Sequence, residues 1–223
     1  MLSSSLKYPR TPYWPYSPGI GRHDTVHPEP QRFVGCRVVV TEKLDGSNVL
    51  IHRGKVYGRS VADEAAHKWM AMVKKHHAWK VNEPDAYLYG EDIYGVHSIE
   101  YGAVREEATF HAFALRDSRG DFSSVAALER FTAERSIPVV PVVYRGSFVS
   151  LTEMRLFLEG EQAKQSVLGG EREGTVVRIA DGFASPEFAR NVCKSVRRDH
   201  VQTDRHWTRN WRPCKLERKT HHG

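Results

Sequence analysis

A lysine at the end of a valine-rich stretch stands out because a short polar turn follows it at once. Lys43 closes the run CRVVVTEK, and Leu-Asp-Gly-Ser-Asn continues the chain to residue 48. A lysine at a strand end is more often a solvated charge on a sheet edge. Here, however, Gly46 lets the backbone approach a ligand closely, and Asn48 offers both a hydrogen-bond donor and an acceptor. The pattern therefore favours a ligand site around Lys43.

Four later motifs also place a charged or aromatic residue in an expected strand or next to a glycine. Glu91 follows Gly90 in an aromatic-rich stretch, and Glu173 precedes Gly174 where another strand is expected to begin. Taken singly, a Glu-Gly pair before a strand is more often an ordinary turn. The five motifs in chain order are Lys43-Leu-Asp-Gly46, the stretch 87–101 around Glu91, Phe110-His-Ala-Phe113, Arg172-Glu-Gly-Thr-Val-Val-Arg178 and Cys193-Lys-Ser-Val-Arg-Arg198.

Short strands and helices must position these motifs. Irregular gaps and hairpin-length links between strands favour an α+β fold with antiparallel sheets over a doubly wound parallel sheet. The tail from Pro186 is predicted to be mainly helical. The other helices are predicted from Ser60, from Ser124 to Ser136, and after the capping box Ser150-Leu-Thr-Glu153. Strands are predicted at 36–43, 86–94, 109–117, 139–146 and 174–182, with a hairpin at 47–60 that turns at Arg53-Gly54.

Length and composition favour one main domain. The chain has 223 residues, of which 40% are hydrophobic, and this is enough to bury one core. We expect an extended, proline-rich arm at 1–32, a domain at 33–212 and a basic tail at 213–223. No apolar run reaches the length of a membrane span or a signal peptide, and the three cysteines fit no disulfide framework, so a cytoplasmic location is expected. Aromatic residues that would pin the arm are Tyr13, Trp14 and Tyr16.

Positive charge is concentrated towards the end of the sequence. Residues 190–223 hold ten Lys and Arg against three Asp and Glu, whereas the whole chain has a net charge of +6. A cationic tail on a nearly neutral body indicates a polyanion partner, and the alternative is a solvated, solubilising tail. Zinc binding is disfavoured, because no tight zinc spacing relates its candidate ligands Cys193, His200, His206 and Cys214.

The order of the five motifs resembles the covalent nucleotidyltransferases, which comprise the RNA ligases, the DNA ligases and the mRNA capping enzymes. Lys43-Leu-Asp-Gly46 matches their Lys-x-Asp-Gly motif in full. Many family members carry a second lysine in the last motif, spaced Lys-x-Lys. Here either Arg197 takes that position or the local alignment shifts. The residues that match the four later motifs in order are Glu91, Phe113, Glu173-Gly174 and Lys194.

Several features are similar to the RNA ligase branch in particular. They are Glu42 before the lysine, Asn48 after it, and the run Tyr-Gly-Glu…His-Ser-Ile-Glu-Tyr. The stretches 7–12 and 200–207 look like small bacterial and phage members of that branch. The resemblance implies an ATP-grasp-like nucleotidyltransferase core of antiparallel sheets flanked by helices. An oligonucleotide-binding barrel is not expected after this core, because only about 20 residues follow the stretch 200–203.

The resemblance also implies roles for individual residues. Lys43 would be the nucleophile that takes AMP from ATP, and Glu173 would hold Mg²⁺, with Mn²⁺ as an alternative. Lys43 must attack as a neutral amine, so we expect Lys194, Arg197 and the metal to lower its pKa. Lys194 would also offset phosphate charge. Among the implied nucleotide-binding residues, Glu42 would lie at the adenine edge and Phe113 would stack on adenine. Arg59 and Glu91 would face the ribose and phosphate. The other implied nucleotide-binding residues are Asp45, Gly46, Asn48, Lys194 and Arg197.

RNA with a 5′-phosphate and a 3′-hydroxyl is the implied partner, and repair of cleaved RNA is the implied role. AMP would pass from the lysine to the 5′-phosphate, and the 3′-hydroxyl would then displace AMP. A protein partner that helps to grip RNA is left open. The alternatives are a DNA ligase or a capping enzyme, and a non-catalytic RNA-binding module that kept the fold. Candidate contacts to RNA phosphates are Arg190, Arg198, Arg205, Arg209 and Arg212.

Overall fold

In the part of the chain that the structure describes, eight strands build two four-stranded antiparallel sheets. The computed structural model describes residues 4–61, 63–198 and 211–217. The first sheet has the strand order β6-β1-β7-β8 and the second has the order β3-β2-β4-β5. All paired strands within the two sheets are antiparallel, which confirms the predicted α+β fold with antiparallel sheets. The strands are β1 (Val38–Lys43), β2 (Ser47–His52), β3 (Lys55–Gly58), β4 (Tyr87–Asp92), β5 (Phe110–Arg116), β6 (Val142–Gly146), β7 (Gly174–Ile179) and β8 (Val192–Val196).

Helices are short and flank the sheets. The serine half of the predicted capping box at the start of α3 is confirmed, because the Ser150 hydroxyl accepts from the Glu153 amide at 3.1 Å. The Glu153 carboxylate in turn accepts from the Val149 amide at 2.7 Å. Ser124 caps α2 in the same way. The α-helices are α1 (Ala71–His76), α2 (Val125–Ala133), α3 (Leu151–Gln162) and α4 (Phe188–Asn191). Single 3₁₀ turns occur at Ser4–Leu6, Pro30–Phe33, Lys68–Met70, Ala78–Lys80, Glu106–Thr109 and Ser185–Glu187.

The predicted hairpin turns at the expected dipeptide. Arg53 and Gly54 both have a positive φ, 49° and 70°, which matches the right-handed twist of the strands that they join. Strands β2 and β3 pair from Val49 opposite Gly58 to His52 opposite Lys55.

Two local predictions are wrong. The helix expected from Ser60 begins only at Ala71, after a 3₁₀ turn. Val61 has a φ of 49°, which lies outside the right-handed helical region. The Ala65 amide donates to the Val56 carbonyl, so this segment pairs with β3 instead of forming a helix. Among the described residues of the tail, the helix predicted from Pro186 is limited to α4, because Val192–Val196 then pairs with β7 as a strand. Val192 and Val196 at its two ends are β-branched and pack well on such a pleated surface.

Hydrophobic side chains from the first sheet pack against α3. Met154 and Leu158 of α3 lie with Val40 and Val177 in one fully buried cluster. Trp14 of the arm joins this cluster at 1% exposure. Tyr16 is half exposed and stacks beneath Arg155 instead. The division into arm, domain and tail stays a prediction.

No helix in the described part of the chain is long and apolar enough to cross a membrane.

Candidate active site

A cavity of about 780 Å³ lies between the two sheets and collects most of the predicted site residues. Strands β1, β7 and β8 line it from the first sheet, and β2, β4 and β5 line it from the second. Arm residues 8–11, 13 and 23–25 contribute to its wall. Of the predicted catalytic, nucleotide-binding and metal-binding residues, three are not part of the lining: Asp45, Glu173 and Arg197. The predicted residues that do line it are Glu42, Lys43, Gly46, Asn48, Arg59, Glu91, Phe113 and Lys194.

Lys43 is held in a two-pronged ion pair with Glu173. Its ammonium donates to Oε2 at 2.6 Å and to Oε1 at 2.8 Å. The pairing of β1 with β7 creates this contact, because it sets Lys43 opposite Gly174. Burial alone would lower the pKa of Lys43, but the carboxylates of Glu173 and Glu91 outweigh burial and raise it to about 12. The expectation that neighbouring cations lower this pKa is therefore wrong for the protein without its ligands.

Glu91 is the second carboxyl group beside Lys43. Its Oε1 accepts from the Gly46 amide at 3.2 Å, across the β2–β4 pair that sets Glu91 opposite Asn48. Burial raises the pKa of Glu91 to about 8, although the charge of Lys43 acts in the opposite direction. A carboxyl group with a raised pKa takes up a proton more readily than an exposed one, and once protonated it can donate as well as accept a hydrogen bond.

The Asp-Gly pair after Lys43 holds the surrounding backbone in place. The Asp45 carboxylate accepts from the amides of Ser98 and Ile99 at 2.7 and 2.8 Å. A Cβ atom on Gly46 would lie 2.4 Å from the Asp92 carbonyl oxygen, which is closer than any side chain tolerates. The structure thus requires glycine at position 46 for the approach of two backbone segments, in addition to any ligand. The expected contact of Asp45 with a nucleotide stays a prediction.

Glu42 points to the opposite face of β1 from Lys43. Its carboxylate accepts from Arg172 Nη2 at 2.7 Å, from the Ser166 hydroxyl at 2.6 Å and from the Val167 amide at 3.0 Å. The side chains of Glu42 and Arg172 are 1% and 4% exposed. The expected contact with an adenine edge would require this buried network to open.

Arg178 was assigned no role from the sequence, although it lies in a quoted motif. It is 6% exposed and lines the cavity, and its Nη1 donates to the Phe113 carbonyl. Its Nη2 has no hydrogen-bond partner among the described residues. Arg197, by contrast, pairs with Glu171 at 2.6 Å, away from the cavity lining. Arg178 of β7, unlike Arg197, therefore brings a further positive charge to the cavity lining. Counting alternate residues along β7 from Val176 would have found it.

The sequence profile of the RNA ligases matches residues 37–196, which is most of the chain and includes Lys43, Glu91, Phe113, Glu173 and Lys194. The chain belongs to the RNA ligase family. No curated protein sequence matches this RNA ligase family member.

Solved structures show the same fold at low sequence identity. A mutant of the Naegleria gruberi RNA ligase with ATP and Mn has a TM-score of 0.56 at 16% identity, over 84% of this chain and 61% of that one. An archaeal ATP-dependent RNA ligase has a TM-score of 0.54 at 14% identity, over 85% of this chain and 48% of that one. This RNA ligase family member thus spans about half to three-fifths of the length of these structures.

Three of the five arginines predicted to contact RNA, Arg190, Arg198 and Arg212, lie among the described residues. Arg190 and Arg212 are paired with Glu29 and Glu100, each at 2.8 Å. Arg198 is exposed in a turn after β8. Arg205 and Arg209 lie outside the described residues, as do His200 and His206. Cys193 and Cys214 are buried in different clusters, and all three cysteines are free.

Proposed function

We propose that this chain is an ATP-dependent RNA ligase that works through a lysyl-AMP intermediate on Lys43. The observation that carries the proposal is the position of the Lys43 amine. It lies in the large cavity between the sheets, against two carboxyl groups, within the segment that matches the RNA ligase family. We also propose that the two sheets are the nucleotidyltransferase core.

The proposed ligation reaction has three steps. The Lys43 amine loses a proton and attacks the α-phosphorus of ATP, so that a P–N bond forms while the P–O bond to pyrophosphate breaks. The 5′-phosphate of RNA then takes AMP from the lysine, which releases the free amine. Finally, the 3′-hydroxyl attacks the adenylylated phosphate and loses a proton, and AMP leaves as the phosphodiester forms.

The ion pair decides how Lys43 becomes reactive. With a pKa near 12, only about one amine in 10⁵ would be neutral at pH 7. Attack therefore requires the Glu173 carboxylate to turn away from the amine or to take its proton. Lys194 and Arg178 supply positive charge for the phosphates, and Phe113 offers a half-buried ring to the adenine.

Glu173 suits the divalent metal that the proposed reaction uses. Its carboxylate is a hard oxygen ligand, as Mg²⁺ and Mn²⁺ prefer. No cluster of three acidic, histidine or cysteine side chains occurs in the described residues. This fits an ion that takes one or two carboxylates and completes its shell with phosphates and water. Bound there, the metal would neutralise charge on the phosphates.

Incubation with ATP labelled at the α-phosphate, in the presence of Mg²⁺, tests the proposal. We expect one AMP per chain, at Lys43 by mass spectrometry, and none in Lys43→Arg. The control Lys55→Arg changes an exposed lysine of β3 and should label like wild type.

Unlabelled wild-type protein would refute the proposal and favour an RNA-binding module. Labelling by GTP in preference to ATP would favour a capping enzyme. Sealing of nicked DNA in preference to nicked RNA would favour a DNA ligase.

A further inference from the structure

The N-terminal arm extends the first sheet along the outer edge of β8. The Trp14 amide donates to the Lys194 carbonyl at 2.7 Å, and the Lys194 amide donates to the Pro12 carbonyl at 2.9 Å. Ser17 fastens the next part of the arm, because its hydroxyl accepts from the Val196 amide at 2.8 Å and donates to the Val196 carbonyl at 3.1 Å. All of these arm residues precede residue 37, where the match to the family begins.

This docking sets the ring of Tyr13 against the side chain of Lys194. The Lys194 ammonium lies 3.9 Å from the ring centroid. Tyr13 is 6% exposed and lines the same cavity as Lys194. An ammonium over an aromatic face is attracted by the ring quadrupole, and more strongly where water is excluded.

Lys194 needs such a restraint because its surroundings are mixed in charge. Lys43 and Arg59 repel its ammonium, whereas Asp24 and Glu173 attract it. A lysine side chain also has many rotamers, which cost entropy to fix. The ring faces the ammonium without adding a further negative charge to those of Asp24 and Glu173.

We propose that Tyr13 is a positioning residue that holds the Lys194 ammonium in place for the phosphates of the nucleotide. This inference rests on the proposed function and assigns the arm a part in the site. It predicts that the aromatic face matters and that the hydroxyl does not.

Three variants distinguish positioning of Lys194 by Tyr13 from mere attachment of the arm to β8. For each variant, the rate of Lys43 labelling is measured as a function of ATP concentration. Tyr13→Leu should slow labelling at saturating ATP about tenfold, while the KM for ATP changes less than about threefold. Tyr13→Phe keeps the ring and should stay within about twofold of wild type. Ser17→Ala loosens the arm without touching the ring, so it should lower the melting temperature but keep the saturated rate.

Two results would overturn the inference while wild type still labels. One is equal slowing by Tyr13→Phe and Tyr13→Leu, and the other is slowing by Ser17→Ala as large as that by Tyr13→Leu. Unlabelled wild type would instead refute the proposed function.

If wild type is not labelled by ATP, chemical modification of Lys194 in the absence of ATP still tests the inference. Acylation of Lys194 by an N-hydroxysuccinimide ester, relative to the exposed Lys55, is followed by mass spectrometry. Losing the ring should speed acylation of Lys194 several-fold in Tyr13→Leu but not in Tyr13→Phe or Ser17→Ala. Equal acylation in all three variants would show that the ring does not restrain Lys194.

Discussion

The ammonium of Lys43 lies 2.6 Å from Oε2 of Glu173, so the proposed nucleophile forms an ion pair with a residue 130 positions later in the chain. The contact keeps the amine protonated until something else occupies the carboxylate. One residue thus restrains the nucleophile in the free protein and is the proposed metal ligand during the reaction.

Glu173→Gln should have opposite effects on two reactions of Lys43. In metal-free buffer the loss of the carboxylate should lower the pKa of Lys43, and its acylation should speed up by about tenfold for each unit of that fall. Labelling by ATP and Mg²⁺ should slow by at least about tenfold, because the metal would lose a ligand. Mass spectrometry of Lys43 reports both rates.

The matched control for this prediction is Glu171→Gln, two residues away, which removes the partner of Arg197 instead. It should leave both rates unchanged. Faster labelling by ATP in Glu173→Gln would contradict the proposed role in metal binding.

Glu91 should make the free energy of unfolding depend on pH. Its pKa is raised to about 8 in the folded protein, against about 4.3 in an unfolded chain. Between these values the folded protein binds a proton that the unfolded chain releases, so this group's contribution to stability falls as pH rises. Glu91→Gln removes this pH-dependent loss of stability, so the stability of the variant relative to wild type should rise by about 3 to 4 kcal/mol from about pH 5 to about pH 8.

Urea unfolding at the two pH values measures this difference. Glu64→Gln, at an exposed carboxylate paired with Lys55, should differ from wild type by the same amount at both. A pH-independent difference for Glu91→Gln would mean that the carboxyl has an ordinary pKa.

Gly46→Ala should destabilise the protein by at least about 2 kcal/mol, because the added Cβ meets the Asp92 backbone. Labelling of Lys43 should fall with it, since the turn that follows the lysine would move. Gly160→Ala is the control, because nothing lies within 4 Å of its Cβ on the exposed face of α3. That change should stabilise by up to about 1 kcal/mol. Unfolding curves that rank the two variants in the reverse order would contradict the close approach.

Arg198→Ala should weaken RNA binding and reduce the slope of log affinity against log salt by about 0.7 to 0.9. Arg190→Ala should change the slope less, because its guanidinium is already paired with Glu29. Fluorescence anisotropy of a labelled RNA across a potassium chloride series measures both. Equal slopes in wild type and Arg198→Ala would remove this residue from the RNA surface.

Local structure could be predicted where it depends on neighbouring residues. The hairpin at Arg53-Gly54 follows from a turn that requires positive φ, and the start of α3 follows from a serine and a glutamate three residues apart. The prediction failed at Val61 and at β8, because backbone pairing with β3 and β7 outweighed local helical preference.

The sequence by itself determined which residue types belong to the site, through five short motifs in a fixed order and the match to the RNA ligase family. Only the tertiary structure decided what each side chain contacts. Strand pairing brings Lys43 to Glu173, strand alternation turns Glu42 towards Arg172, and the docked arm sets Tyr13 beside Lys194. These contacts join residues far apart in the chain, so they depend on which segments pair in the folded protein. A shift of one residue in the pairing of a strand would turn its side chains to the other face of the sheet.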